Sequence, residues 1–462
     1  MWRDIQGARH EIDQQRNLPD CIGAWYLRRV TATLLNDGKV WIAGGESGNS
    51  VPLSSAELYD PSAGVFTAIG NMMTARWQHT ATLLPDGRVL IAGGSMDYPM
   101  SAEIYDPSSG IFTATGDMVY PTSGANPNLL ANGKVIFTGG FVAPGGLVSA
   151  EIYDTATGTF AAAGPCAGGG SVCDYCAPAI SLADGRVLFA AVQPAQIYDT
   201  GSAAFSVTGF MNYDAHTGAT STLLMNGQAL FSGGEDDSGR SNSAELFDPA
   251  TGAFSLTGKM ASRRVGHTST LLPDGTVLIA GGETDSCGSN FCMFAGTVAS
   301  AELYDPSTGS FTATGGMTAS RELQTATLLR DGRVLVTGGI AYGGIDIFYG
   351  SLSSAENYTP AALVPAPALF SLSGDGQVQG AVWHSATGEI ASSSSPAVAG
   401  EALSMYTTSL AQGGVIPPQV TIGGQLAQVL YFAGTSGSRA PDLSQTVEQR
   451  GYHRHPVTVR YL

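Results

Sequence analysis

The sequence predicts an all-β protein: a seven-bladed β-propeller over residues 25–362, followed by a small β-sandwich-like module over 363–462. Three observations carry this. One unit recurs seven times, each unit holds four short strand signals, and a Gly-containing turn sits at the same place in all seven. The Gly-Gly pair that marks the unit stands at Gly44-Gly45, Gly93-Gly94, Gly139-Gly140, Gly233-Gly234, Gly281-Gly282 and Gly338-Gly339. Gly44 to Gly338 is 294 positions in six steps, a mean period of 49. Between Gly140 and Gly233 one further unit keeps the frame but reads Phe189-Ala190-Ala191. Repeats of about 40–50 residues with four strands each stack as blades around an axis.

The elements of a unit follow in order. Strand a is a Thr-Ala-Thr-Leu-Leu run such as Thr80–Leu84. A turn follows at Asp37-Gly38, Asp86-Gly87, Asn132-Gly133, Asp184-Gly185, Asn226-Gly227, Asp274-Gly275 and Asp331-Gly332; read as two-residue loops, these would be type I′ hairpin turns. Strand b, as in Arg88–Ala92, ends on the Gly-Gly pair, where a side chain would obstruct close backbone packing. Strand c reads Ser-Ala-Glu-Leu-Tyr-Asp. A Pro/Thr/Gly turn leads to strand d, which opens on an aromatic: Phe66, Phe112, Phe160, Phe205, Phe254 and Phe311. The seventh unit shows no such strand after Tyr358, and residues 1–24 match no part of the repeat and are assigned no structure.

Gly-Gly after strand b, Glu-x-Tyr-Asp in strand c and an aromatic opening strand d resemble the kelch repeat, over residues 25–360. Many kelch repeats carry Trp at that aromatic position. The resemblance extends to the propellers of galactose-oxidase-like proteins. It implies two enzymatic possibilities beside a non-enzymatic binding platform. A copper radical oxidase of that kind would need two tyrosines, two histidines and a thioether-linked cysteine around one copper. The propeller offers His79, His216 and His267, and the adjacent Tyr-His pair of that family is matched only at Tyr452-His453. A sialic-acid mutarotase-like enzyme would need only Arg, His and Glu at the channel. The sequence favours the platform, with no cofactor, because it holds no Gly-x-Ser-x-Gly elbow, P-loop or His-Glu-x-x-His motif.

Composition narrows the partners. Net charge is −17, from 38 acidic and 21 basic residues, so phosphate backbones are repelled and nucleic acid is excluded as a ligand. No apolar run reaches the ~18–20 residues of a membrane helix. The expected partner is therefore a protein or glycan, and the expected state a monomer. Five of six cysteines lie in two irregular loops: Cys287 with Cys292, and Cys166 with Cys173 and Cys176. They read as disulfide candidates of an extracellular or envelope protein, with a zinc site at Cys173-x-x-Cys176 as the rival. Residues 1–20 show no apolar segment of the signal-peptide kind.

Alternating strands put the a–b and c–d turns on one face and the b–c and d–a loops on the other. The second face carries the variation: its b–c loops run from three residues (Val192–Pro194) to seventeen (Glu283–Ala299). Variable loops on a rigid scaffold are where binding is built. The candidate ligand-binding residues there are Arg76, Trp77, His79, Tyr213, Asp214, His216, Arg264, His267 and Arg321. Arg and His converging at a channel mouth would hold an anionic or polyhydroxylated ligand. The alternative is that the arginines pair with acidic groups of the blades. The strand c glutamates Glu57, Glu103, Glu151, Glu245, Glu302 and Glu356 recur in six units and read as scaffold acceptors; Gln196 keeps the acceptor in the remaining unit.

Past a Pro365–Pro367 linker, alternating runs at Gly380–Ser385, Glu401–Tyr406, Gln419–Gly424, Gln428–Phe432 and Pro456–Tyr461 suggest further strands. This segment is similar to a C-terminal module of exported acidobacterial proteins, which implies a surface or spacer role.

Overall fold

A computed structural model describes residues 2–5, 30–47, 51–94, 100–120, 122–139, 141–142, 150–164, 178–190, 194–213, 218–236, 239–287, 292–343, 348–360, 382–384, 402–407, 420–422, 425–432 and 455–460. The described elements are all β-strands. They divide into two compact units, Met1–Leu329 with Arg333–Ala361, and Arg330–Gly332 with Ala362–Leu462.

The first unit is a seven-bladed propeller. Seven four-stranded sheets follow one another along the chain. Blade two shows the pattern. Thr80–Leu83, Val89–Ala92, Ala102–Asp106 and Ile111–Ala114 pair antiparallel as strands a to d. Strand b is buried along its whole length while strand d is mostly exposed, so each sheet runs from interior to rim. The core lies between neighbouring blades. Leu35, Trp41 and Ala43 of blade one pack on Val89, Ile91 and Tyr105 of blade two. Val40 and Tyr59 of blade one pack on Leu329, Leu335 and Ala355 of blade seven, which closes the ring. In blades one to six the strand c aromatic meets its strand d phenylalanine, as Tyr105 meets Phe112 at 4.8 Å between ring centroids.

Two local features differ from the sequence expectation. The seventh sheet takes its fourth strand from the other end of the chain: Trp2–Ile5 pairs antiparallel with Ala355–Tyr358. The register sets Trp2 opposite Tyr358, the place Phe112 takes opposite Tyr105. Trp2 thus stands at the register position that the strand d aromatic holds in the other blades. Propellers leave few free edges, and pairing the first strand into the last blade removes one more.

The a–b turns are not type I′. In blade one Gly38 N–H donates to Leu35 O and Leu35 N–H to Lys39 O. Only the glycine has positive φ, at 87° in both Gly38 and Gly87. This is a three-residue loop, a type I turn closed by a left-handed glycine. The Asp serves by its side chain instead, since Asp37 Oδ1 and Asp86 Oδ1 each accept the N–H two residues on, at 3.0 Å.

In the second unit Val382–His384, Ala402–Thr407, His455–Arg460, Gln425–Phe432 and Val420–Ile422 form one five-stranded antiparallel sheet in that order. A second layer, which a sandwich requires, does not occur among the described residues.

Candidate functional site

The linker entering each blade fixes where its side chains point. In blade two it passes under the end of strand c, and Glu103 accepts Met73 N–H at 2.7 Å. Arg76, on the same linker, turns inward. Its Nη1 donates to Gly93 O and Ser101 O, its Nη2 to Ser101 Oγ, and its Nε to Glu103 Oε1. Arg264 repeats this on Gly281, Ser300 and Glu302, and Arg321 on Gly338, Ser354 and Glu356. The three side chains are 1 %, 0 % and 0 % exposed. Burial pushes the Arg76 and Arg264 pKa values down, against the pull of Glu103 and Glu302.

Arg76, Arg264 and Arg321 are therefore not ligand-binding residues on the loop face. They are buried cations that lock each linker to the strand b and strand c ends of its own blade. The physical reason is the repeat itself: each blade that has the arginine also presents two carbonyls, a serine hydroxyl and a carboxylate to neutralise it.

His79 and His267 also turn inward. His79 Nε2 is 2.8 Å from Thr31 Oγ1 of the preceding blade, and His267 Nε2 is 2.9 Å from Thr220 Oγ1. Both rings lie against a glycine of the preceding blade: a Cβ built on Gly44 would stand 2.5 Å from His79 Cε1, and one on Gly233 2.6 Å from His267 Cε1. Burial first, and the neighbouring arginine second, hold both pKa values down to about 3. Gln324 fills the same slot in blade seven, its Nε2 donating to Ala280 O. These residues are neutral keys between blades, not ligand contacts. Trp77 is buried as well.

Tyr213 is half-buried, with Lys259 Nζ 5.8 Å from its ring centroid. Asp214 and His216 lie outside the described residues, as do Cys166, Cys173 and Cys176. Cys287 and Cys292 stand opposite each other in the ladder of the Glu283–Cys287 and Cys292–Thr297 hairpin. The glutamates of strand c are linker acceptors: Glu151 binds Val119 N–H, Glu245 Tyr213 N–H, Glu302 Ala261 N–H and Glu356 Thr318 N–H.

What the loop face does carry is a set of two-stranded ribbons. Glu46–Ser47 pairs with Val51–Pro52, Glu235–Asp236 with Gly239–Arg240, Glu283–Cys287 with Cys292–Thr297, and Ile340–Tyr342 with Phe348–Ser351. Neighbouring ribbons are tied together. Arg240 of blade five pairs with Asp285 and Glu283 of blade six, and its N–H donates to Asp285 Oδ2 at 3.0 Å. Burial lowers the Arg240 pKa, but Glu283 and Asp285 outweigh it and raise the value above the ordinary one. Thr297 Oγ1 and the Tyr342 backbone bond in both directions, at 3.2 and 3.1 Å. Sequence reasoning missed Arg240; its signal was a lone Arg in a b–c loop facing the Glu-x-Asp of the next unit.

Among the described residues no three of His, Cys, Asp or Glu stand together in an arrangement that could hold a metal ion. His79 and His267 occupy separate blade interfaces with Nε2 already engaged.

The comparisons with known proteins agree with the fold. Residues 31–73 match the Kelch motif model. No curated protein matches the chain. Among solved structures the chain is similar to a novel fungal alcohol oxidase of the AA5 family, in complex with copper, at 18% identity and a TM-score of 0.63. The likeness covers 94% of this chain and 91% of that one. The described residues form a seven-bladed β-propeller, and residues 31–73 of its first blade match the Kelch motif.

Proposed function

We propose that this protein is a non-enzymatic binding platform, displayed outside the cell, whose b–c and d–a loop face engages a protein or glycan. The observation that supports it is the set of ribbons, which differ in length between blades, those of blades five, six and seven being bonded to one another through Arg240 and Thr297. Rigid, variable and cross-tied loops present a pre-ordered surface, which lowers the entropy cost of binding. The test is a glycan and peptide array probed with the whole chain and with an Arg240→Ala variant. Selective binding that Arg240→Ala weakens, with the melting temperature of the propeller little changed, supports the platform. Indiscriminate or absent binding on both arrays argues against it.

A second reading rests on the copper alcohol oxidase that shares this fold: a sugar- or alcohol-acting kelch enzyme. It would need a metal set drawn from outside the described residues. Copper loading followed by metal analysis and electron paramagnetic resonance decides it. Stoichiometric copper with a type 2 signal favours the enzyme, and its absence after loading removes the reading.

A further inference from the structure

Among the described ribbons of the loop face the one in blade six is the longest, with strands Glu283–Cys287 and Cys292–Thr297. Its two halves are held differently. The inner half is tied to the scaffold: Glu283 N–H donates to Val265 O at 2.8 Å and Val298 N–H to Gly282 O at 2.9 Å. Thr297 adds bonds to Ser320 and to the Tyr342 backbone. The register then shifts between Thr284 and Asp285, where Ala295 is the extra residue. Past this bulge the ladder resumes with Asp285 opposite Phe294, Ser286 opposite Met293 and Cys287 opposite Cys292. Among the described contacts, what ties this outer half to the neighbouring blade is Arg240, which pairs with the Asp285 carboxylate and donates its N–H to Asp285 Oδ2.

A two-stranded ribbon is marginal in water, and a bulge separates the outer pairs from the ladder that anchors them. Three pairs past a bulge would fray unless something else held them. This outer half ends on two cysteines at opposed register positions, whereas the ribbons of blades one, five and seven hold none. Opposed residues of an antiparallel pair have Cα atoms about 4.5–5.5 Å apart, within the span of about 4.4–6.8 Å found for disulfides. The ladder spacing therefore admits a bond between them without moving the backbone.

We propose that Cys287 and Cys292 form a disulfide that clamps the outer half of the blade-six ribbon and keeps Asp285 on Arg240, which gives the loop face a thiol-sensitive lock. The bond forms by exchange with a small-molecule disulfide. One cysteine thiolate attacks that disulfide, and the second cysteine then displaces the mixed disulfide. The two cysteines together lose two electrons and two protons as the Sγ–Sγ bond forms, and the external disulfide is reduced to two thiols. A thiol or phosphine reductant reverses the change. The three outer pairs then fray, and the tie between blades five and six loosens with them.

The experiment equilibrates the whole chain with glutathione disulfide and compares it with a phosphine-reduced sample. Chymotrypsin cleavage after Phe291 parts Cys287 from Cys292 in sequence. In the oxidised sample the two fragments are expected to stay joined and to separate on reduction. Hydrogen exchange, read by mass spectrometry without any ligand, gives the second measure. Reduction is expected to speed exchange over residues 285–287 and 292–294 by about tenfold or more, and that of the Arg240 amide in step, while Val277–Ala280 stays protected. A Cys287→Ser/Cys292→Ser variant is expected to exchange fast in this ribbon under both conditions. Three results would overturn the proposal: thiols that stay free in glutathione disulfide, a bond from either cysteine to Cys21, Cys166, Cys173 or Cys176, or ribbon exchange that reduction leaves unchanged. A reductant effect on the ribbon that persists in the double variant would overturn it too. If that variant fails to fold, reduction of the wild type decides alone.

Discussion

At the residue scale the ionisable groups of this propeller work as scaffold, and their titration gives signed expectations. His79 and His267 have pKa values of about 3 in the fold and 6.5 as reference. Between these values the unfolded chain binds protons that the folded chain does not. Their contribution is complete above about pH 6.5 and declines as pH falls, by up to ~1.4 kcal/mol per pH unit for each histidine. Glu151 acts oppositely: raised from 4.5 to about 7, it favours the fold below pH 4.5 and loses that contribution as pH rises through 7. His79→Gln, which copies the Gln324 of blade seven, is expected to flatten the acid limb of a melting-temperature profile between pH 4 and 6.5. Glu151→Gln is expected to raise the melting temperature at pH 8 and leave it nearly unchanged near pH 4. Profiles identical to wild type would show that neither group is held as buried as its surroundings indicate. The arginines offer a third test. Arg264→Met strands Glu302 without its cation and is expected to cost roughly 3–5 kcal/mol in denaturant unfolding. A loss below about 1 kcal/mol would mean that the pair is solvated.

At the element scale the Gly-Gly pair and the first strand matter most. Gly44 has φ +66° and faces His79 and the Arg76 carbonyl, so Gly44→Ala meets both a left-handed backbone and a clash. The backbone part alone costs roughly 1–2 kcal/mol. The expected outcome is a lower urea midpoint than that of Gly64→Ala, whose added Cβ meets nothing within 4 Å at φ +69°. Equal effects would locate the whole cost in the backbone. The strand Trp2–Ile5 closes blade seven through four register pairs. Removing residues 1–5 uncovers the edge of Ala355–Tyr358 and is expected to lower the melting temperature by several degrees and promote association through that edge. An unchanged midpoint in a monomeric variant would show that packing between blades one and seven suffices for closure.

At the scale of the whole molecule the propeller separates scaffold from surface. The buried arginine and the His or Gln beside it recur in blades two, six and seven, and departures from this pattern fall on the loop face and in blades three, four and five. Arg240→Ala breaks the tie between the ribbons of blades five and six. It is expected to increase hydrogen exchange of the Glu283–Cys287 ribbon while the strand b amides stay protected. Faster exchange throughout the blade would place Arg240 among the scaffold residues.

Seven blades, four strands each and the roles of Gly-Gly, Glu and Phe were legible from the sequence, because each is a local signal repeated at a fixed period. The turn type was not, since Asp-Gly serves both a two-residue and a three-residue loop, and only the hydrogen bond from Gly38 to Leu35 separates them. The direction of Arg76, Arg264, His79 and His267 was not either. A linker side chain can face the channel or the blade, and the choice depends on acceptors 17 to 27 residues away for Arg76 and 48 residues away for His79. Nor could Trp2 be assigned, because its partner Tyr358 lies at the far end of the propeller. The repeat therefore determined the architecture by itself. The tertiary structure decided which polar residues are buried as neutralised or neutral scaffold, because their acceptors come from strands far along the chain.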